Sequence, residues 1–321
     1  MFPVEYHAGL AEKWDAFLGE TPAGTFLHSR KFLAYHGNRF TDRSVVLLDA
    51  GERILAVFPA AEDGERPGLI VSHPGSTYGG MIWRQGTGGE VLVDALTEIV
   101  RYYSACGYQE LRYKAVPYIY RQAPCDDDLY ALFRLGADRY RCDLSACIDL
   151  ERRGRVSGQR KRGARKAATH HVRISTAVEL VPEFWAVLEQ NLRTVHGRSP
   201  VHSVDEIQLL YSYFRENIRF VMAQHEGRVI AGVVLFIIGS TVHAQYIASS
   251  EQGRSLGALD YLFEHCIQEY SAGGARYFDF GTCNEGEGKI LNSGLYNFKQ
   301  GFGAGGVVHE FYSIDFKRMS L

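Results

Sequence analysis

The residues best equipped for chemistry lie in the second half of the chain. Lys299 stands between aromatic residues in Phe298-Lys-Gln-Gly-Phe-Gly303; an ammonium there can stabilise a carbonyl oxyanion or hold a phosphate. His196-Gly-Arg-Ser-Pro-Val-His202 is a Gly/Pro loop with two histidines, suited to supply a base near neutral pH. His196 is the candidate base in it, and Arg198 a candidate substrate contact. His243, Gln245 and Tyr246 alternate along a strand-like run. If His243, a second candidate base, and Gln245 face a cleft, Tyr246 faces the core. Tyr78 matches Tyr246 in the first half, which gives the two a shared packing role beside a substrate. Asp279, Asn284 and Asn297 are candidates to orient it. Asp279 lies between two phenylalanines, so it is either half-exposed at a sheet edge or buried and paired. Arg162 and Arg165 fall one turn apart on a helix, where two guanidiniums suit phosphates. The chain carries no Ser-His-Asp or Cys-His pattern, so no covalent nucleophile is expected.

These residues need a scaffold, and the chain spells one out twice. Tyr103-Ser-Ala-Cys-Gly107 and Tyr270-Ser-Ala-Gly-Gly274 each end an amphipathic helix, and each is followed by an alternating aromatic and polar strand. The glycine fits the left-handed position past a helix end, which a side chain makes costly. Around the copies the elements repeat. The first half reads as a helix over 10–17, a helix from Arg30 capped by Ser29, a hairpin over 44–60, a Gly/Pro loop from His73, a helix over 90–105 and a strand over 110–116. The second reads as helices over 181–193 and 204–217, a hairpin over 220–238, a strand over 241–248, a loop over 249–256, a helix over 258–271 and a strand over 277–281. Helices, hairpin, strand, loop, helix, strand is an α+β order with a mixed sheet. The expected organisation is two tandem domains, 1–150 and 151–321, with the site in the second.

Between the halves, residues 152–166 hold eight basic and no acidic residues. Such a run binds anions or is a solvated face. The net charge of −2 argues against a protein that coats nucleic acid, so DNA is not an expected partner. A hydrophobic content of 46% with 22% charged residues is that of a folded globular protein. The six cysteines form no Cys-x-x-Cys pair, and His170-His171 is too short a cluster, so no metal is expected. Cys142 and Cys147 read as buried thiols. The N-terminus lacks the basic start and apolar core of a secretion signal. The longest apolar run, 229–238, is broken by Gly232 and too short to span a membrane. A cytoplasmic location is expected.

Three patterns in order resemble the FemAB-like branch of the GNAT acyltransferase superfamily. They are Phe26-Leu-His-Ser-x-x-Phe-Leu, the basic Gln159-Arg-Lys-Arg-Gly-Ala-Arg-Lys-Ala167, and Phe278-Asp-Phe-Gly followed by Leu295-Tyr-Asn-Phe-Lys-Gln-Gly-Phe-Gly303. The resemblance covers about residues 20–315 and implies two GNAT-like domains in tandem. It also implies that Lys299 lies near the donor end of the site. Acetyl-CoA-dependent members carry Gln/Arg-x-x-Gly-x-Gly/Ala, whose backbone N–H groups bind pyrophosphate at a helix start. Here the loop reads Gln252-Gly-Arg-Ser-Leu-Gly-Ala-Leu259. Arg254, Gly257 and Ala258 fit, whereas Leu259 stands where a small residue is wanted, so the donor stays open between acyl-CoA and aminoacyl-tRNA.

Together these readings predict an N-acyltransferase with no tightly bound cofactor. It moves an acyl or aminoacyl group to an amine on a small-molecule, nucleotide-sugar or peptide precursor of the cell envelope, with tRNA a possible partner. The alternative is a non-catalytic RNA- or nucleotide-binding protein on a degenerate GNAT scaffold.

Overall fold

The computed structural model describes residues 1–197 and 200–318, with Val195 and His196 given by their backbone alone. The chain forms two compact units. The first comprises residues 1–143, 286–289 and 308 onward, and the second comprises 144–285 and 290–307. The expected division at 150/151 differs at both ends. The strand Asp138–Asp149 passes the boundary at 143, and the strand Gly305–Asp315 returns the chain to the first unit at 308.

In the first unit, Phe2–Glu5, Val45–Leu48, Ile54–Phe58 and Ile82–Trp83 form an antiparallel sheet. Leu69–Val71 runs parallel to Glu110–Arg112, joined by the helix Glu90–Ala105. Leu92, Ala95, Leu96, Ile99, Val100 and Tyr103 recur at helical spacing and are buried. Residues 311–315 add an antiparallel strand to Glu110–Lys114.

The second unit repeats this plan. Its strands are ordered 144–149, Tyr277–Thr282, Thr241–Ser249, Arg228–Ile238, Ile218–His225 and Arg173–Ser175. The one parallel pair described there, 241–243 with 277–279, is again joined by a helix, Ala258–Ala272. The helices Gly158–Thr169 and 258–272 cover one face, burying Ala146, Ile148, Val233, Leu235, Val242, Ala244, Phe278 and Phe280. The helix Val181–His196 lies on the other, where Phe184 meets Gly232 and Trp185 meets Tyr246. This is the expected α+β architecture of two GNAT-like domains, each with a mixed, mostly antiparallel sheet.

Both repeat glycines take the predicted conformation, with φ +92° at Gly107 and +83° at Gly274. At each the next residue donates its N–H to the tyrosine carbonyl of the motif, Tyr108 to Tyr103 at 3.1 Å and Ala275 to Tyr270 at 3.0 Å. Two expected elements differ. The loop 249–256 contains a short helix, Glu251–Leu256, because Ser250 caps it by accepting the Gly253 N–H at 3.0 Å. The helix from Val204 stops at Tyr213, and Phe214 leaves helical geometry.

A further duplication emerges in three dimensions. Trp14 donates its indole N–H to the His28 carbonyl at 2.8 Å, Ser29 caps the helix Arg30–Ala34, and the His28 ring lies 5.6 Å from Tyr78. Trp185 donates to the His202 carbonyl at 3.3 Å, Ser203 caps the helix 204–213, and the His202 ring lies 5.7 Å from Tyr246. In the first unit the histidine serves structure. Its Nδ1 accepts the Thr25 N–H at 3.1 Å and its Nε2–H donates to the Gly79 carbonyl at 3.1 Å. Burial pulls the His28 pKa from 6.5 to about 4. Between those values the unfolded chain binds a proton that the folded chain refuses, so stability falls as pH falls. At roughly 1.4 kcal/mol per unit the loss reaches about 3 kcal/mol by pH 4. Urea midpoints should therefore drop more steeply from pH 6.5 to 4 in the wild type than in His28→Gln; parallel slopes would contradict this.

Candidate functional site

The parallel pair of the second unit parts soon after it begins. Thr241, Val242 and His243 pair with Tyr277, Phe278 and Asp279, and beyond them the two strands separate while both continue. At the point of parting lies a buried polar cluster. Asp279 is fully buried and receives three donors: Nδ1–H of His243 at 2.8 Å, the Gly281 N–H at 3.1 Å, and the Ser145 hydroxyl. Three donors on one carboxylate offset the cost of burying it. With Nδ1 of His243 directed at Asp279, Nε2 is the ring nitrogen turned away from the carboxylate. Ser145 bonds the aspartate rather than the imidazole, so the three do not form a Ser-His-Asp hydrolase triad.

A β-bulge decides which way the next residues point. His243 pairs with Phe236 and Tyr246 with Val234, with the register shifted between. Phe236 and Val234 are two apart and share a face, so Tyr246 shares the face of His243. This corrects the expected alternation, because Gln245 is the extra residue of the bulge. The Tyr246 hydroxyl and Nδ1 of His202 are in close hydrogen-bond contact, and burial pushes the Tyr246 pKa up to about 12. His202, one of the two loop histidines suited to supply a base, is thus engaged by Tyr246; Ser145 was not singled out from the sequence, since it lies 134 residues from Asp279 and no local pattern joins the two.

Lys299 adjoins this cluster from below. It is 3% exposed and donates to the carbonyls of Gly281 at 2.8 Å and Thr282 at 3.0 Å. Burial lowers its pKa, opposed by Cys283 and Asp279. The helix Ser293–Gln300 turns Lys299 inward, and its ammonium, expected on an oxyanion or phosphate, instead clamps the bulge that shifts the register between Asp279 and Thr282 at Gly281, whose φ is +78°. Asn284 accepts the Leu144 N–H through Oδ1. Asn297, on the outer side of the same helix, lines a cleft of about 720 Å³.

The basic run is divided in its roles. Arg153 forms a two-pronged ion pair with Glu264 at 2.7 and 3.1 Å, and Arg160 pairs with Asp260 at 2.5 Å over the Phe298 ring. Arg162 and Arg165 are exposed and are not among the cleft-lining residues. Arg254 is committed to the Ser249 carbonyl at 2.7 Å. Gly257 is left-handed, a Cβ there would stand 2.5 Å from the Gly163 carbonyl, and Ala258 is fully buried. Tyr78 belongs to the first unit, 2% exposed against His28 and Tyr120. Arg198 and the His196 side chain lie outside the described residues. No cluster of three or more metal-ligating side chains occurs among the described residues.

The first unit treats its equivalent parting differently. Counting from the repeat glycines, Arg112 and Val71 occupy the places of Asp279 and His243, and Lys114 that of Gly281. Lys114 is half-buried and donates to the carbonyls of His73, Pro74 and Ser76 at 2.9, 3.2 and 2.6 Å, while the Gly79 N–H bonds the Lys114 carbonyl at 3.1 Å. The gap is bridged, and among the described residues it holds no acid–histidine pair.

Residues 151–300 match the family model described as an acetyltransferase (GNAT) domain. Among solved structures, FemX aligns with a TM-score of 0.69 at 14% identity, over 98% of this chain and 97% of its own. L-PGS from Bacillus licheniformis aligns at 0.63 and 14%, over 94% and 90%. A tandem GNAT protein from the clavulanic acid biosynthesis pathway aligns at 0.50 and 12%, over 98% of each. No curated protein is detectably similar in sequence. The resemblance drawn from the sequence holds at the level of fold: residues 151–300 match the GNAT domain model, and the chain shares its fold with FemX and with a tandem GNAT protein. Among the described residues no helix is long and apolar enough to cross a membrane.

Proposed function

We propose that the chain is an N-acyltransferase whose chemistry lies in the second unit. It moves an acyl or aminoacyl group from acyl-CoA or aminoacyl-tRNA to an amine on a small-molecule, sugar or peptide precursor of the cell envelope. The observation that carries this reading is the parting of 241–249 from 277–282 at the buried Asp279–His243 pair, in the unit that matches the GNAT family. Acyl transfer needs a neutral amine, a polarised carbonyl and accurate placement. Below the parting the strands bond each other; the gap above it is where a donor carbonyl would be seated. His243, fixed by Asp279 through Nδ1, takes the proton that the attacking amine loses. Lys299 acts as a positioning residue by holding the Gly281 bulge that shapes one edge.

Donor identity is read by thermal unfolding with coenzyme A, acetyl-CoA, a UDP-sugar and bulk tRNA in separate samples, since a ligand of the folded state raises the midpoint. The paired assay follows label from acetyl-CoA and from charged tRNA onto an amine panel. Label transfer from either donor upholds the reading. RNA binding without transfer would favour the non-catalytic alternative, and neither binding nor transfer would overturn the reading.

A further inference from the structure

The helix start at 257–258, where the sequence pattern puts a pyrophosphate, is closely packed in this chain. Gly257 abuts Gly163 so closely that a Cβ would stand 2.5 Å from its carbonyl, and Ala258 is fully buried. Asp260, in the first turn of the 258–272 helix, is itself buried and packs against Gly163. The start of that helix is thus crowded by the neighbouring 158–169 helix at Gly163.

A different concavity in the same unit has the opposite character. The cleft of about 720 Å³ lies between the first turn of the 158–169 helix and the 293–300 helix, a volume within the range of small-molecule sites. Its polar lining is Arg155, Ser157, Gln159, Arg160, Asn297 and Gln300, with no carboxylate among the lining residues. The floor is backbone: the Gly154 N–H bonds the Gly303 carbonyl at 3.1 Å, and the Ser157 N–H bonds the Gly301 carbonyl at 2.8 Å. Gly303 has φ +92°, and a Cβ there would stand 2.4 Å from the Gly154 carbonyl, so side chains are kept off that floor. Arg160 is locked in place by Asp260 and the Phe298 ring, 4.6 Å from its guanidinium carbon. Arg155 is exposed, and among the described residues no carboxylate pairs with it. Arg152, Lys161 and Arg162 of the same run are exposed too and raise the local positive potential.

We propose that this cleft is a phosphate site, with Arg155 as its charged ligand and the amides of Gln159, Asn297 and Gln300 as hydrogen-bonding partners. It takes the diphosphate of a small co-substrate, a role that rests on the acyl-transfer reading; the cleft's affinity for phosphate does not.

The test is titration calorimetry with inorganic pyrophosphate on the full chain. Arg155→Ala should weaken binding about tenfold, the worth of one charge-assisted contact, while Arg254→Ala leaves it unchanged. Melting curves equal to wild type confirm that the exposed Arg155 was removed without unfolding. Wild-type affinity in Arg155→Ala, weakened binding in Arg254→Ala, or no binding to the wild type would each overturn the site. Competition identifies the source: displacement by coenzyme A assigns the donor, displacement by a UDP-sugar the acceptor, and displacement by neither removes the co-substrate role. If Arg155→Ala leaves the KM of both substrates in label transfer unchanged, the site's role falls while acyl transfer stands. If pyrophosphate binds as described and no label moves, the phosphate site stands and acyl transfer falls.

Discussion

Asp279→Ala is expected to destabilise the second unit by about 3–5 kcal/mol, because it strands buried donors that now share one acceptor. His243 Nδ1–H, the Gly281 N–H and the Ser145 hydroxyl all lose their partner. Asp279→Asn separates this structural loss from the chemical one. The carboxamide keeps the volume and one oxygen, but it no longer fixes the proton on Nδ1 of His243. Transfer should then fall by roughly 10²–10⁴-fold, the range for losing an oriented general base, with a much smaller change in melting temperature. Equal rates for Asp279→Asn and wild type would remove the pair from the reaction. A melting temperature unchanged in Asp279→Ala would mean that the cluster carries no stability.

Lys299→Ala is expected to have the next largest effect, and first on folding. The buried ammonium satisfies the carbonyls of Gly281 and Thr282; its removal leaves both unpaired and opens a cavity, at a cost of about 3–5 kcal/mol. Lys299→Met fills most of the cavity and should lose only about 1–3 kcal/mol, the penalty of the unmet carbonyls. Denaturant melts of the two variants check this order. If Lys299→Ala melts with the wild type but transfers no acyl group, the lysine acts on the donor directly and not through the Gly281 bulge.

Much of this frame was legible in the sequence because it rests on local rules. Gly107 and Gly274 announced the left-handed ends of two helices, Ser29 announced a cap, and the hairpins followed from alternation and turn residues. Asp279 between two phenylalanines had two allowed fates, and the structure realises the buried and paired one. Other features depend on distant partners. The Ser145 contact joins strands far apart in the chain, and the bulge at Gln245 inverts a simple period-two reading of Tyr246. Lys299 reads as a cation for an oxyanion or phosphate, and its two backbone acceptors at Gly281 and Thr282 show only once its helix is docked. The basic run could be counted but not apportioned, since Glu264 and Asp260, which neutralise Arg153 and Arg160, lie about a hundred residues further on. The repeated Trp–His–Ser–Tyr arrangement was hidden because its spacings differ between the copies.

The measurement that tests acyl transfer at the second unit most directly compares wild type with His243→Asn in single-turnover label transfer. Donor and amine are those identified by the thermal and label screens. Asparagine retains a side-chain amide to donate toward Asp279, so the melting temperature should change little, while the acceptor nitrogen is gone. The predicted result is rapid label transfer by the wild type and a rate at least about 10²-fold lower in the variant, restored in part at alkaline pH where the free amine is more abundant. Transfer by His243→Asn at the wild-type rate and with the wild-type pH profile would contradict the assignment of proton acceptance to His243.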